Sequence, residues 1–258
     1  MELIALVFFV VAFIYSSVGH GGASSYLALL ALLNYPTSDC KSSALILNIV
    51  VAGIAFVNFI RVVKFPIKPF IWLILGSIPA SFLGSKILLD PSIYKLILGF
   101  LLIMSALRLF EFASLQRLFH SSYSQTIQSN THVFLPLFIG MPIGLISGMI
   151  GIGGGIILSP ILLLLRWHDA KETAALSSGF IVVNSIAGLL GNPSIPKTMD
   201  NTLIWILIAS VVGGILGSLK GAKDFSNSTI KRVLAVVLIV AAVKLIGGID
   251  LLWYLLFL

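Results

Sequence analysis

Two glycine clusters hold the residues best suited to chemistry. Residues 19–22 read G-H-G-G, and residues 148–155 read G-M-I-G-I-G-G-G inside an apolar run at 134–165. Glycine adopts positive φ and lets a ligand approach the backbone closely. Successive N–H groups in glycine turns form anion-binding concavities, and a helix N-terminus adds its positive dipole end. Gly21 and Gly22 open one apolar segment, and Gly153, Gly154 and Gly155 open another. Hydroxyl donors stand nearby. Ser24 and Ser25 follow the first cluster, Ser159 follows the second, and the pairs Ser42–Ser43 and Ser177–Ser178 come some twenty positions after each. Asn184 and Asn48 add amide groups within apolar spans. His20, between glycines, can carry a proton or donate to an anion. The set describes an oxyanion cradle.

Each residue also has a plainer reading. Small residues allow membrane helices to pack closely, and Gly76, Gly84, Gly213, Gly217 and Gly221 need no other role. Five glycines within 148–155 exceed what a packing contact requires, since each costs a helix about 1 kcal/mol relative to Ala. Ser177, Ser178 and Asn48 can bond their own or a neighbouring backbone. His20 can serve as a helix-terminus partner, and Arg166, Trp167 and His168 as interfacial anchors.

Composition fixes the setting. The 258 residues are 59% hydrophobic and 10% charged, and their mean hydropathy is +1.12, which is the signature of a polytopic membrane protein. The opening apolar run lacks a basic leader and reads as a retained helix rather than a signal peptide. The net charge of +7 comes from Lys and Arg between apolar runs, so it is not a nucleic-acid signal. The single cysteine, Cys40, rules out an internal disulfide and a cysteine metal site. No metal or cofactor is expected. The nine carboxylates all fall in loops or at segment ends, which argues against a cation substrate and against an intramembrane hydrolase. The second cluster is not a dinucleotide fingerprint, because the G-x-G-x-x-G phase and the βαβ context are missing.

The elements that must position these residues are apolar helices. Ten segments are expected, at 2–18, 22–35, 43–61, 67–88, 92–110, 133–150, 155–166, 173–190, 202–220 and 230–247, with a short tail at 248–258. The segments at 22–35 and 155–166 are short for a crossing of about 20 residues. They are either tilted short helices or re-entrant arms. The list splits five and five. Gly19, Gly21 and Gly22 match Gly151, Gly153 and Gly154, Ser42–Ser43 match Ser177–Ser178, and Gly76, Ser81 and Gly84 match Gly213, Ser218 and Gly221. The expected organisation is an N-terminal transmembrane repeat at 1–112, a polar linker at 113–132 and a C-terminal repeat at 133–258. With the N-terminus outside, eleven Lys and Arg fall inside and five outside, and equivalent loops carry opposite bias. The fold class is therefore all-α, a polytopic membrane protein of two inverted-topology repeats. Such folds bind substrate at the repeat interface, where interrupted helices present their ends.

The run G-I-G-G-G-I-I-L-S-P-I-L-L-L-L, with Pro160, and the stretch A-A-L-S-S-G resemble the TauE/SafE family of sulfite exporters, also called the toluene-sulfonate uptake permease family. The likeness covers nearly the whole chain. It departs at His20 and at Ser-Ser 177–178, where Thr-Ser is frequent. The resemblance implies a secondary transporter of a small sulfur-containing anion, such as sulfite, sulfoacetate or another organosulfonate, in the multi-pass cytoplasmic (inner) membrane of a bacterium. Proton coupling and a homodimer stay open, and a passive anion channel is the alternative. The expected substrate-binding residues are His20, Gly21, Gly22, Ser24, Ser25, Ser42, Ser43, Gly153, Gly154, Gly155, Ser177, Ser178 and Asn184, with no catalytic residue.

Overall fold

A computed structural model describes residues 2–33, 35, 37–87, 134–192 and 201–246. Among them all regular structure is helical: α1 (Glu2–Ser16), α2 (Ala23–Leu32), α3 (Thr37–Ile60), α4 (Ile67–Gly84), α5 (Leu135–Ile150), α6 (Gly155–Leu164), α7 (Ala170–Gly191), α8 (Asn201–Lys223) and α9 (Asn227–Ile246). The expected segment at 92–110, the linker at 113–132 and the tail at 248–258 lie outside the described residues. Stretches of α3, α4, α7 and α8 are long and apolar enough to cross a membrane. Their outer faces carry side chains suited to lipid, such as Trp205, Leu190 and Leu75.

Local chemistry sets the ends. Three helices begin earlier than hydropathy suggests, α3 at Thr37, α7 at Ala170 and α9 at Asn227, because their first turns are polar. The start of α7 is fixed by a reciprocal cap. Asp169 Oδ1 accepts from the Glu172 N–H at 2.7 Å, and Glu172 Oε2 accepts from the Asp169 N–H at 3.4 Å. Asp169→Ala should cost about 1 kcal/mol, seen as a lower unfolding temperature in detergent with transport retained. At the other breaks glycine takes over. Gly151 ends α5 at φ 84°, and its N–H donates to the Ser147 carbonyl at 2.8 Å. Gly154 opens α6 at φ 76°.

The two breaks leave short helices. With 15, 10, 16 and 10 residues, α1, α2, α5 and α6 reach roughly 22, 15, 24 and 15 Å at 1.5 Å per residue, short of a core about 30 Å thick. The arms of each break do not pack along one another. α1 lies against α8 and α2 against α3, while α5 lies against α4 and α6 against α7.

Two glycine seams organise the bundle. In α4 and α5, a Cβ at Gly76, Gly84, Gly140, Gly144 or Gly148 would strike the facing backbone at Leu137, Leu145, Leu73, Ser77 or Ser81. In α1 and α8, a Cβ at Gly213, Gly217 or Gly221 would strike Phe9, Phe13 or Ser17. Residue numbers rise together across each seam, so both pairs are parallel. α3 and α7 pair antiparallel, with Asn48 at Ser185 and Ser42 at Asn192. Exchanging α1–α4 with α5–α8 turns each seam into the other and leaves the α3–α7 pair in place. The contacts of α4 with α7 and of α8 with α3 exchange in the same way.

Candidate functional site

The two glycine turns meet at one side chain, Asn48 of α3. Its Oδ1 accepts from the Ala23 N–H at 3.3 Å, at the N-terminus of α2. Its Nδ2 donates to the Ile152 carbonyl at 3.4 Å and to Ser185 Oγ at 3.0 Å. Asn48 thus ties the first turn, the second turn and α7 together. Both turns need glycine for this approach. A Cβ on Gly21 would collide with Asn48 Oδ1, and one on Gly153 would lie 2.6 Å from Asn48 Nδ2 and 2.8 Å from Ser185 Oγ. Positive φ occurs at Gly19, Gly22, Gly151, Gly153 and Gly154.

The electrostatics favour negative charge. The N-termini of α2 and α6 present their positive dipole ends where the turns meet. The competing negative end of α5 is offset by Lys41, whose Nζ donates to the Met149 carbonyl at 3.2 Å while its stem covers Gly151. Among the described residues no group of acidic, His and Cys side chains could hold a metal ion.

A second polar chain runs from the first turn into the second half. The His20 ring is completely buried, with Nδ1 3.1 Å from the Val18 carbonyl and Nε2 3.3 Å from Ser159 Oγ of α6. Ser159 Oγ donates to Ser177 Oγ of α7 at 2.6 Å.

The other sequence-derived residues are spread more widely. Gly22 abuts the Tyr26 ring, and Gly155 packs against Ile181. Ser25 Oγ donates to the Tyr15 hydroxyl at 3.0 Å, and Ser24 lies 3.3 Å from the same hydroxyl. Ser42 accepts from Asn192 Nδ2 at 3.0 Å, at the far end of α7 and about 9 Å along α3 from Asn48. Ser178 donates to the Ala175 carbonyl of its own helix at 2.9 Å. Asn184 Nδ2 donates to the Phe180 carbonyl at 2.8 Å, and its Oδ1 is buried with no partner, as is the Ser43 hydroxyl. The structure thus gathers His20, Gly21, Gly153 and Ser177 around the two turns and distributes Ser24, Ser25, Ser42 and Ser178 to other partners. Asn48 and Ser159, weighed as donors but left out of the expected substrate-binding residues, and Ser185, which was not singled out, complete the centre. The available signal for Asn48 was an amide in the middle of an apolar span.

Broken helices joined at the middle of a bundle with spanning helices around them define a multi-pass membrane protein of the transporter class, and comparison with known proteins agrees. The family profile described as Sulfite exporter TauE/SafE matches residues 4–245, and the chain belongs to this family. It is similar to the probable membrane transporter protein y4hK of Sinorhizobium fredii, 36% identical over 94% of this chain and 97% of the relative. It is also similar to the probable membrane transporter protein YjnA of Bacillus subtilis, 26% identical over 88% and 92% of the two chains. No solved structure matches it.

Proposed function

We propose that the protein is a secondary transporter that carries a small sulfur-containing anion, sulfite or an organosulfonate, across the bacterial cytoplasmic membrane by alternating access. The observation that carries this reading is the junction at Asn48. One side chain reaches the N-terminus of α2 and the second glycine turn, so the positive ends of α2 and α6 converge on one place. A substrate oxyanion there would compete with Asn48 Oδ1 for the Ala23 N–H and draw on the free backbone donors of the glycine turns. The parallel seams and the antiparallel α3–α7 pair support an inverted repeat, since equivalent helices then run in opposite directions. Because the first helix of each half is locked onto the fourth helix of the other, the bodies proposed to move are the seam pairs α1–α8 and α4–α5.

The test is uptake of labelled sulfite and of labelled methanesulfonate into proteoliposomes. Saturable uptake well above that of empty liposomes is expected for at least one of them. Uptake equal to empty liposomes with both removes the proposal. Uptake that grows linearly with concentration, together with single-channel currents, would replace the carrier by a channel.

A further inference from the structure

The hydrogen-bond chain from His20 assigns a second cargo. A carbonyl oxygen only accepts, so the bond to Val18 places a hydrogen on His20 Nδ1. Ser159 gives its hydroxyl hydrogen to Ser177, so its oxygen presents a lone pair to His20 Nε2. With Ser159 donating to Ser177, the chain is complete when both ring nitrogens carry hydrogen, that is, when His20 is an imidazolium. With Nε2 bare, Ser159 donates to the ring and the 2.6 Å bond reverses, Ser177 donating to Ser159, so the chain holds His20 in either state and its hydroxyls turn over as the proton comes and goes.

A buried imidazolium needs a counter-charge. The elements packed around the ring offer little. α6 and α2 carry no acid or base beyond Tyr26. α1 has Glu2 at its far end and Tyr15, whose phenol is engaged by Ser24 and Ser25. α3 has Asp39, Cys40 and Lys41, and α7 has Lys171 and Glu172, all in their opening turns. Between α6 and α7 stand Arg166, His168 and Asp169, and α9 contributes Lys231 and Arg232. Among the described residues no carboxylate lies beside the ring, and Ser177, where the chain ends, flanks the start of α6 through its carbonyl at Gly155.

We propose that His20 is the proton-binding residue of the transport cycle: it takes up one proton with each anion, the anion at the glycine turns being the counter-charge of its ring, and Ser159 and Ser177 link the two sites. This rests on the anion-transport reading above. The chain occurs once per molecule, because the positions equivalent to His20 and Ser159 are Ile152 and Leu27. The stoichiometry is therefore one proton, and binding of either cargo favours the other.

The experiment uses proteoliposomes of the full chain loaded with a pH-sensitive dye and presented with labelled methanesulfonate, whose charge is constant over the pH range used. Wild type should acidify the lumen as the anion enters, with an apparent affinity that rises about tenfold per unit fall in pH, the slope for one linked proton. His20→Gln, with an unchanged elution profile, should bind the anion only with the weak affinity that wild type shows at high pH, and should move it without acidification and with a flat pH profile. Anion uptake by wild type without acidification, or acidification that persists in His20→Gln, overturns the assignment while leaving anion transport intact. Absence of any wild-type uptake removes both. If His20→Gln does not fold, Ser177→Ala replaces it. That variant should lose most of the affinity gained at low pH, and an unaltered gain overturns the link.

Discussion

Asn48→Leu is expected to abolish transport and to lower stability by roughly 3–5 kcal/mol, the largest single effect in the molecule. The substitution keeps the volume and removes every polar atom. The Ala23 N–H, the Ile152 carbonyl and the Ser185 hydroxyl then lose a partner in a dry interior, where each orphaned group costs about 1–3 kcal/mol. Thermal unfolding in detergent measures the stability term, and proteoliposome uptake measures function. Asn48→Asp separates the two roles. The carboxylate can still accept from Ala23 but cannot donate to Ile152 or Ser185, and it places a negative charge where the substrate anion is proposed to sit. Its transport should fall at least as far as that of the leucine variant. Retention of wild-type uptake by either variant would show that the two turns do not need Asn48 to work together.

The second large effect concerns the α4–α5 seam. Gly148→Val should destabilise by about 3 kcal/mol, the upper end for overpacking, because its Cβ falls on the Ser81 carbonyl and neither helix backbone can retreat alone. Gly53→Ala is the internal control. There an added Cβ meets only Val182 Cγ2, at 3.9 Å, an ordinary contact, and the helix gains up to about 1 kcal/mol in propensity. A melting temperature that drops steeply for Gly148→Val and holds or rises for Gly53→Ala would establish that backbone contact, rather than glycine content, sets the packing. Equal responses would refute that.

The sequence was most informative where a single residue type leaves few options. Glycines at 19–22 and 151–154 could not continue a helix, and four of the five positive-φ glycines among the described residues match by pair, Gly19 with Gly151 and Gly22 with Gly154. Gly76, Gly84, Gly213, Gly217 and Gly221 read as packing residues because small side chains in membrane helices seldom need another reason, and each faces a backbone carbonyl. The site was less legible. Asn48 finds its partners 104 and 137 positions away, and His20 meets Ser159 across 139. No local pattern encodes such distances. The proposed duplication suggests a closer equivalence than the contacts have. Ser42 and Ser177 hold matching positions, yet Ser42 bonds Asn192 and Ser177 bonds Ser159. A repeat preserves where a residue sits on its helix, but its partner depends on what the other copy places opposite. Ser178 shows the same limit from the other side, since its hydroxyl turns back to its own helix.

The seams that look equivalent in the finished bundle are not equivalent during its synthesis. The α4–α5 seam joins Leu73 to Gly140, and the α1–α8 seam joins Phe9 to Gly213, a separation roughly three times as long. Helix α1 leaves the ribosome long before α8, yet receives its glycine partner only when α8 has been made. Until then its inner face has lipid or the translocation machinery for company. Long-range pairing of this kind is slow to form and exposed to error while it waits. Nascent chains arrested before α8 should thus be the species that quality-control proteases recognise, and the closing of the α1–α8 seam, with only α9 of the described helices still to follow, ends that exposure.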